Sequence, residues 1–325
     1  MTDALPLPRL VVFGEALTDF LHQGNGQWLA RPGGACWNVA RVAARLGVPT
    51  GYAGAISNDV FGDALFADSQ AAGLDLRYLQ RVDRSPLLAM VTSTQPPHYF
   101  FVGDDSADLH FDVQGLPAGW QTAVEIAHFG CISLAREPLG SRLVTLAETL
   151  AAQGTRITFD PNWRTAMDAP HYAPLLLRMA AIASVIKVSD EDLRHLFPGD
   201  VDPLTTLRTL APQADILLTL GAEGMEWLAA AHGGQDDARI SQPAFAVPVA
   251  DTVGCGDAAM GSWLVSLLQW PDAPVQAHLR QAAAAAALTA TRAGAYAGTQ
   301  AEIDALLQAH AAAHPHMPQS APSAY

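Results

Sequence analysis

The sequence predicts an α/β protein: a mainly parallel, doubly wound sheet flanked by helices, with a small β-sheet lid. Three observations point there. Short β-branched or aromatic runs recur and each is followed by a helical stretch, the rhythm of a parallel sheet covered on both faces. Half of the 325 residues are apolar and 15% are charged, ample for a large buried core. Two segments break the rhythm with strand-like alternation that suits antiparallel pairing.

In chain order the strand-like runs are residues 10–13, 52–56, 126–134, 156–159, 185–188 and 216–220. A helix is predicted over 35–46, where Val39, Val42, Ala43 and Leu46 share helical spacing and Gly47 stands as the C-terminal stop. Others are predicted over about 258–268 and, rich in alanine, about 275–291. The first rhythm-breaking segment, 20–31, has a Gly24-Asn25-Gly26 turn between two short strand-like pieces. The second, 87–111, alternates around Gln95-Pro96-Pro97-His98. Together they place lid segments at about 15–33 and 87–113, with a decorated edge of the main sheet as the alternative. No internal repeat is present.

The chain carries 18 Lys+Arg against 32 Asp+Glu, a net charge of −14, and a single lysine, Lys187. A phosphate-binding P-loop needs Gly-Lys-Ser/Thr, and Lys187 follows Ile186, so that class is excluded. There is no basic run to neutralise phosphates, so no nucleic acid is expected as a partner. No membrane partner is expected either, because the apolar stretches are too short for a bilayer; the run 258–271 is bounded by Asp257 and Asp272. Residues 1–9 lack a basic segment ahead of apolar ones and do not resemble a secretory signal. Cys36, Cys131 and Cys255, at unrelated spacings, fit the reduced thiols of a cytoplasmic protein better than a disulfide framework or a zinc site.

Asp251-Thr252-Val253-Gly254-Cys255-Gly256-Asp257 runs directly into the apolar helix predicted from Ala258. Glycines at 254 and 256 let the backbone curl so that several N–H groups point into one concavity at a helix N-terminus, which holds an anion without any lysine. A phosphoryl group would fit there, with Asp257 beside it to take a proton from an attacking hydroxyl. The alternative is a plain glycine turn with an N-cap aspartate. Gly33-Gly34 precedes the helix over 35–46, and Asn38, one turn in, is either an internally satisfied core amide or a grip on a ligand hydroxyl. Asp19 follows the first strand after Gly14-Glu15. Asp160-Pro161-Asn162-Trp163-Arg164 closes the strand ending at Phe159. Both lie near C-terminal ends of parallel strands, where ligand crevices form.

These motifs, together with Lys187-Val188-Ser189-Asp190-Glu191-Asp192 and Thr219-Leu220-Gly221-Ala222-Glu223-Gly224, stand in one order along the chain. In that order the sequence resembles the PfkB-type, ribokinase-like carbohydrate kinases, and most resembles their bacterial fructokinase branch, over about 10–307. The resemblance implies a ribokinase-like fold, with 1–311 as one kinase domain and 312–325, rich in Ala, Pro, His and Ser, as a flexible tail. It implies ATP, Mg2+ and K+ as cofactors. Asp257 matches the family's general base, and the amides of Gly254, Cys255 and Gly256 match its anion hole. Asp19, Gly33, Gly34 and Asn38 match positions that hold sugar hydroxyls, and Arg164 one beside the substrate and the transferred phosphate. Thr219, Gly221 and Gly224 match the turn that lies along ATP. Lys187 and Ser189 fall in a matched motif on the same side, where Lys187 is either a phosphate contact or a solvated charge. Asp251, the Val253 carbonyl and carbonyls near Arg292 and Gly294 would surround the monovalent cation.

Departures from the family pattern carry their own expectations. Ribokinase-like members often have Asn-x-x-Glu in the magnesium environment; here Ser189 and Asp192 stand there, implying a rearranged or water-mediated contact. Ala283 occupies a position near the adenine where ribokinases tend to have an asparagine, which leaves nucleotide preference open. Cys255 replaces the usual alanine and is either inert or a low-pKa thiol open to oxidation. Residues 98–112 contain no Lys or Arg but include Asp104, Asp105, Asp108 and Asp112, which favours a neutral sugar over a phosphorylated or acidic one.

Fructose is the first choice on resemblance, supported by Glu15-Ala16-Leu17 beside Asp19 and by His128-Phe129-Gly130-Cys131-Ile132-Ser133-Leu134. Ribose or a nucleoside follows, and 2-keto-3-deoxygluconate stays open because Arg31 and Arg164 could serve its carboxylate. A Rossmann dehydrogenase lacks its Gly-x-Gly-x-x-Gly after the first strand, and a Cys-His hydrolase lacks a nucleophile elbow. A non-catalytic sugar sensor is the rival of a different class, opposed by the intact Asp257. Exposed edges on the lid are suited to cover by a second copy, so a homodimer through the lid is expected.

Overall fold

The first strand, β1 (Leu10–Phe13), shows how the chain sorts its side chains. Leu10 and Val12 enter one apolar cluster and Val11 and Phe13 another, because alternate residues of a strand face opposite sides of the sheet. The computed structural model describes residues 6–94, 97–231 and 238–313. After β1 come β2 (Leu17–Gly24), β3 (Gln27–Gly33), α1 (Ala35–Arg45), β4 (Thr50–Ser57), α2 (Val60–Ala72), β5 (Leu79–Val82), β6 (Leu88–Thr94) and β7 (Pro97–Val102). The middle of the chain gives α3 (Trp120–Ala123), β8 (Ile126–Gly130), α4 (Leu139–Ala152), β9 (Arg156–Asp160), α5 (Tyr172–Ile182), β10 (Val185–Ser189), α6 (Asp190–Leu196) and α7 (Pro203–Leu210). It closes with β11 (Asp215–Thr219), β12 (Met225–Leu228), β13 (Arg239–Gln242), α8 (Cys255–Gln269), α9 (Val275–Ala290) and α10 (Gln300–Ala313).

Among the described residues these strands form two sheets. The main one has nine strands in the order β13-β12-β11-β10-β9-β8-β1-β4-β5, parallel from β11 to β5, with β12 and β13 antiparallel at one edge. Helices α4 and α5 cover the Val11/Phe13 face, where Phe13 stacks on Phe129 at 4.8 Å. On the other face α1, α8 and α9 bury Trp37, Trp263 and Leu279. Each large apolar side chain so buried contributes about 1.5–3 kcal/mol. Strand order reverses at β1, which has β4 on one side and β8 on the other. Such a switch point opens a crevice at the strands' C-terminal ends.

The lid is a sheet of its own rather than a decorated edge: β3-β2-β6-β7, with β2 and β6 parallel and the two outer pairs antiparallel. Asn25 turns the first hairpin in a left-handed conformation, φ 50°. Gln95 and Pro96, in the second expected turn, lie outside the described residues. The lid strands take 17–33 and 88–102 of the expected segments. Beyond Val102 the chain returns to the body in 3-10 turns, where Arg136 Nε donates to the buried Asp108 at 2.8 Å.

Other boundaries moved for local reasons. The run 126–134 is strand only to Gly130, and residues 131–135 form a buried 3-10 helix opened by Cys131 at φ 52°. A short buried apolar run does not reveal by periodicity where strand gives way to helix. Helix α8 starts at Cys255, earlier than Ala258, with Gly254 as its N-cap. Of the expected tail, 312 and 313 complete α10, and 314–325 fall outside the described residues.

Candidate active site

The C-terminal ends of β1, β8, β9, β10 and β11 carry most of the singled-out residues, and the N-termini of α1 and α8 meet them. Gly254 holds φ 78°, and a Cβ there would lie 2.5 Å from that of Ala295, so only glycine admits the turn into α8. The Cys255 N–H is taken by the Thr252 carbonyl at 3.3 Å. The N–H groups of Gly256 and Asp257, in the first turn, have no acceptor within the helix and add to its positive end. That is an anion cradle without a lysine.

Asp257 stands in the same turn, 8% exposed, and its Oδ2 accepts from Asn38 Nδ2 at 2.9 Å. Burial pushes its carboxyl up to about 7, while the Asn38 hydrogen bond and the charges of Lys187 and Arg164 pull the other way. A carboxyl titrating there is well matched to general-base work near neutral pH. Of the Asn38 amide, Nδ2 is satisfied internally, while the buried Oδ1 has no partner among the described residues. An orphaned acceptor beside the base fits a hydroxyl donor from a ligand.

Asn38 is held in place by the entry to α1. Gly34 takes φ 116°, and a Cβ on it would lie 2.6 Å from the Glu15 carbonyl oxygen. Glu15, fully buried, accepts the Ala35 N–H at 2.9 Å and the Ser133 hydroxyl, fixing the first turn of the helix. Asp19 lies in lid strand β2, paired with Arg31 across the hairpin, and its carboxylate covers Gly33, where a Cβ would come within 2.2 Å of Oδ2. Burial raises Asp19 to about 6, opposed by the nearby charge of Arg164. The charge of Arg164 likewise acts to lower Asp160 and Asp257, so all three carboxyls feel it. Its Nη1 donates to the Asn162 carbonyl, Asn162 Oδ1 and the Trp163 carbonyl at 2.9, 2.7 and 2.6 Å.

Lys187 is no solvated charge. It lies in β10, 3% exposed, with Nζ 2.8 Å from Asp160 Oδ2 and 3.0 Å from where a Gly256 Cβ would be. Burial works against its ammonium, but Asp160, Asp192 and Asp257 outweigh that and raise its pKa, keeping the proton on. Ser189 caps α6 through the Asp192 N–H, and the two Asp192 oxygens accept the N–H of Ser189 (2.9 Å) and of Trp163 (2.8 Å). Asp192, expected in a magnesium environment, is thus engaged with backbone on both oxygens. Among the described residues no group of three or more His, Cys, Asp or Glu stands ready for a metal.

Thr219 ends β11, and Gly221 and Gly224 bound the 3-10 turn that follows, closed by the Leu220 N–H on the Gly224 carbonyl at 2.8 Å. Asp251 draws two loops together, accepting the N–H of Val253 (3.1 Å) and of Gly294 (2.8 Å), with Arg292 two residues away. Cys255 is half-buried and its thiol is pushed up to about 11, so it is a neutral, inert group rather than an activated one.

One expectation changes. Asp104, Asp105, Asp108 and Asp112 lie past the last lid strand. Asp108 pairs with Arg136, Asp105 with His110 and Arg84, and Asp112 caps a 3-10 turn. They are therefore no lining of the lid sheet. Sequence reasoning also passed over the Glu15–Ser133 contact and the partners of Asp192; the Ser189-x-x-Asp192 spacing is a capping-box signature that could have exposed the latter.

The pfkB family carbohydrate kinase model matches residues 8–302. The chain is 32% identical over 262 residues to a fructokinase of Rhizobium leguminosarum bv. trifolii, covering 78% of each protein. The structure of a Xylella fastidiosa fructokinase with bound ATP superposes with a TM-score of 0.83 at 28% identity, covering 94% of this chain and all of that one (100%). An aminoimidazole riboside kinase of Salmonella enterica, complexed with aminoimidazole riboside and an ATP analog, superposes with a TM-score of 0.77 at 26% identity, covering 92% of this chain and 99% of that one.

Proposed function

The chain belongs to the pfkB family of carbohydrate kinases, phosphotransferases with a sugar as acceptor, and from that membership we propose that it is an ATP-dependent fructokinase. The observation that carries the reading is Asp257, a buried carboxyl raised to about 7, beside the orphaned Asn38 Oδ1 and inside the amide-lined first turn of α8. Asp257 takes the proton of the attacking sugar hydroxyl, and the Gly256 and Asp257 N–H groups stabilise the transferring phosphoryl. Arg164 adds positive charge on the acceptor side, and Lys187, held by Asp160, adds it beneath Gly256. The Thr219–Gly224 turn is the bed for ATP. Mg2+, when bound, neutralises phosphate charge; it keeps several waters and asks for few protein carboxylates, which suits this donor set. K+ belongs in the proposal at the loops that Asp251 joins, near Val253, Arg292 and Gly294.

Asp19, Asn38 and Asp257 are suited to bonding hydroxyls, and the ionised carboxylates of Asp19 and Asp257 repel an anionic acceptor, which favours a neutral sugar. The fructokinase relatives favour fructose, and the likeness to the aminoimidazole riboside kinase favours a riboside as the second reading. A sensor has no need of a tuned base. A homodimer through the lid is part of the proposal, supported by Trp28, Phe100 and Val102 standing exposed on its sheet. A cytoplasmic location is supported by the free thiols of Cys36, Cys131 and Cys255 and by ATP as co-substrate.

A coupled ADP-release assay over fructose, ribose, ribosides, 2-keto-3-deoxygluconate and hexose phosphates tests the reading, with fructose expected to give the highest kcat/KM. Asp257→Asn is expected to fold, bind sugar and lose about 10²–10⁴ in kcat. Near-normal turnover in that variant, or turnover with none of the sugars, overturns it.

A further inference from the structure

Loop 160–164 joins the two halves of the site. Asp160 pairs with Lys187 on the nucleotide side, and Arg164 reaches the acceptor side. Arg164 is tied to its own loop by Nη1, which donates to Asn162 and Trp163, so the guanidinium goes where the loop goes. The loop turns at Asn162 in a left-handed conformation, φ 41°, with the Asn162 N–H on Asp160 Oδ1 at 3.0 Å.

Helix α6 supplies the hold at Trp163. Asp192 Oδ1 accepts the Trp163 N–H at 2.8 Å, and the His195 ring stacks on the indole at 3.9 Å between centroids and 7° between planes. Asp192 and His195 are three residues apart and share one helix face. The other Asp192 oxygen is fixed by the Ser189 N–H, so the carboxylate is oriented before it meets the loop. We propose that Asp192 and His195 are positioning residues that set Arg164 through Trp163, making α6 the element that couples the nucleotide side of the site to its acceptor side. The proposal deepens the kinase reading and rests on Arg164 acting at the substrate.

The test is a double-mutant cycle on whichever panel sugar turns over, so an acceptor other than fructose leaves it standing. His195→Ala and Asp192→Asn are expected to lower kcat by about 10- to 100-fold, the cost of a displaced catalytic group, with ADP affinity by calorimetry unchanged. His195→Phe, which keeps the stack, restores most of the loss. In an Arg164→Ala background His195→Ala costs nothing further, because its effect already ran through that guanidinium. Asp192→Asn also disturbs the capping box; if it does not fold, the His195 cycle carries the test. Normal kcat in His195→Ala, no rescue by phenylalanine, or additive losses with Arg164→Ala overturns the positioning role alone. Normal turnover in Arg164→Ala overturns the role of Arg164, and the proposal with it.

Discussion

Asp257 carries a carboxyl whose ordinary value is 3.8 and which burial lifts to about 7. In the proposed role of base it must be ionised to accept a proton, so kcat/KM is expected to rise with pH through about 7 and then level off. The same shift acts on stability. A folded-state pKa above the unfolded one stabilises fully below about 3.8, and the gain is lost as pH climbs through about 7. At about 1.4 kcal/mol per unit, this amounts to roughly 4 kcal/mol. Asp257→Asn, neutral at every pH, should therefore melt above the parent at pH 8, with the gap closing toward pH 5; scanning calorimetry at both values checks it, and a pH-independent gap would count against the shift. The place of Asp257 in the first turn of a helix was legible from the glycines ahead of it. Its partner Asn38 lies 219 residues away in the chain, a distance over which spacing says nothing. Lys187 was open to two readings, yet a charge in a central parallel strand has protein on both faces and has to be paired.

Among the elements, α8 shows how tightly the anion cradle is built. Alanine at 256 would put a methyl 3.0 Å from the Lys187 ammonium, leaving the helix or the Lys187–Asp160 pair to shift. Gly256→Ala is expected to keep the fold by circular dichroism while kcat falls by about tenfold or more, since amide donors that miss the transferring group lose their effect. Unchanged kcat would show that the first turn tolerates movement. Strands β1, β4, β9, β10 and β11 were legible within two residues because burial on both faces gives dense apolar runs. The lid hairpins were legible from their alternation. The end of β8 was not, because Cys131 adopts a positive φ that no apolar pattern announces.

At the scale of the molecule, the lid leaves apolar side chains exposed on its strands. Phe100 and Val102 on β7 are 49% and 46% exposed, and Trp28 on β3 is 39% exposed. Register puts all three on the face opposite Asp19. Phe100→Glu is expected to turn a dimer into a monomer in sedimentation velocity; a parent that is monomeric at all concentrations removes the dimer from the proposal. The order of motifs along the chain made the architecture legible, since several fall at strand ends of the parallel sheet and others at the N-termini of α1 and α8. Contacts between those ends, such as Asp192 with Trp163, come only from folding.

The single lysine also bears on handling the protein. Lys187 is 3% exposed and salt-bridged to Asp160, so its amine is neither accessible nor deprotonated near pH 8. Acylating dyes, biotin esters and aldehyde linkers therefore find the Lys187 amine closed to them while the fold is intact. Acylation at that side chain becomes possible only when the strand around it opens, so its modification reports unfolding rather than surface chemistry.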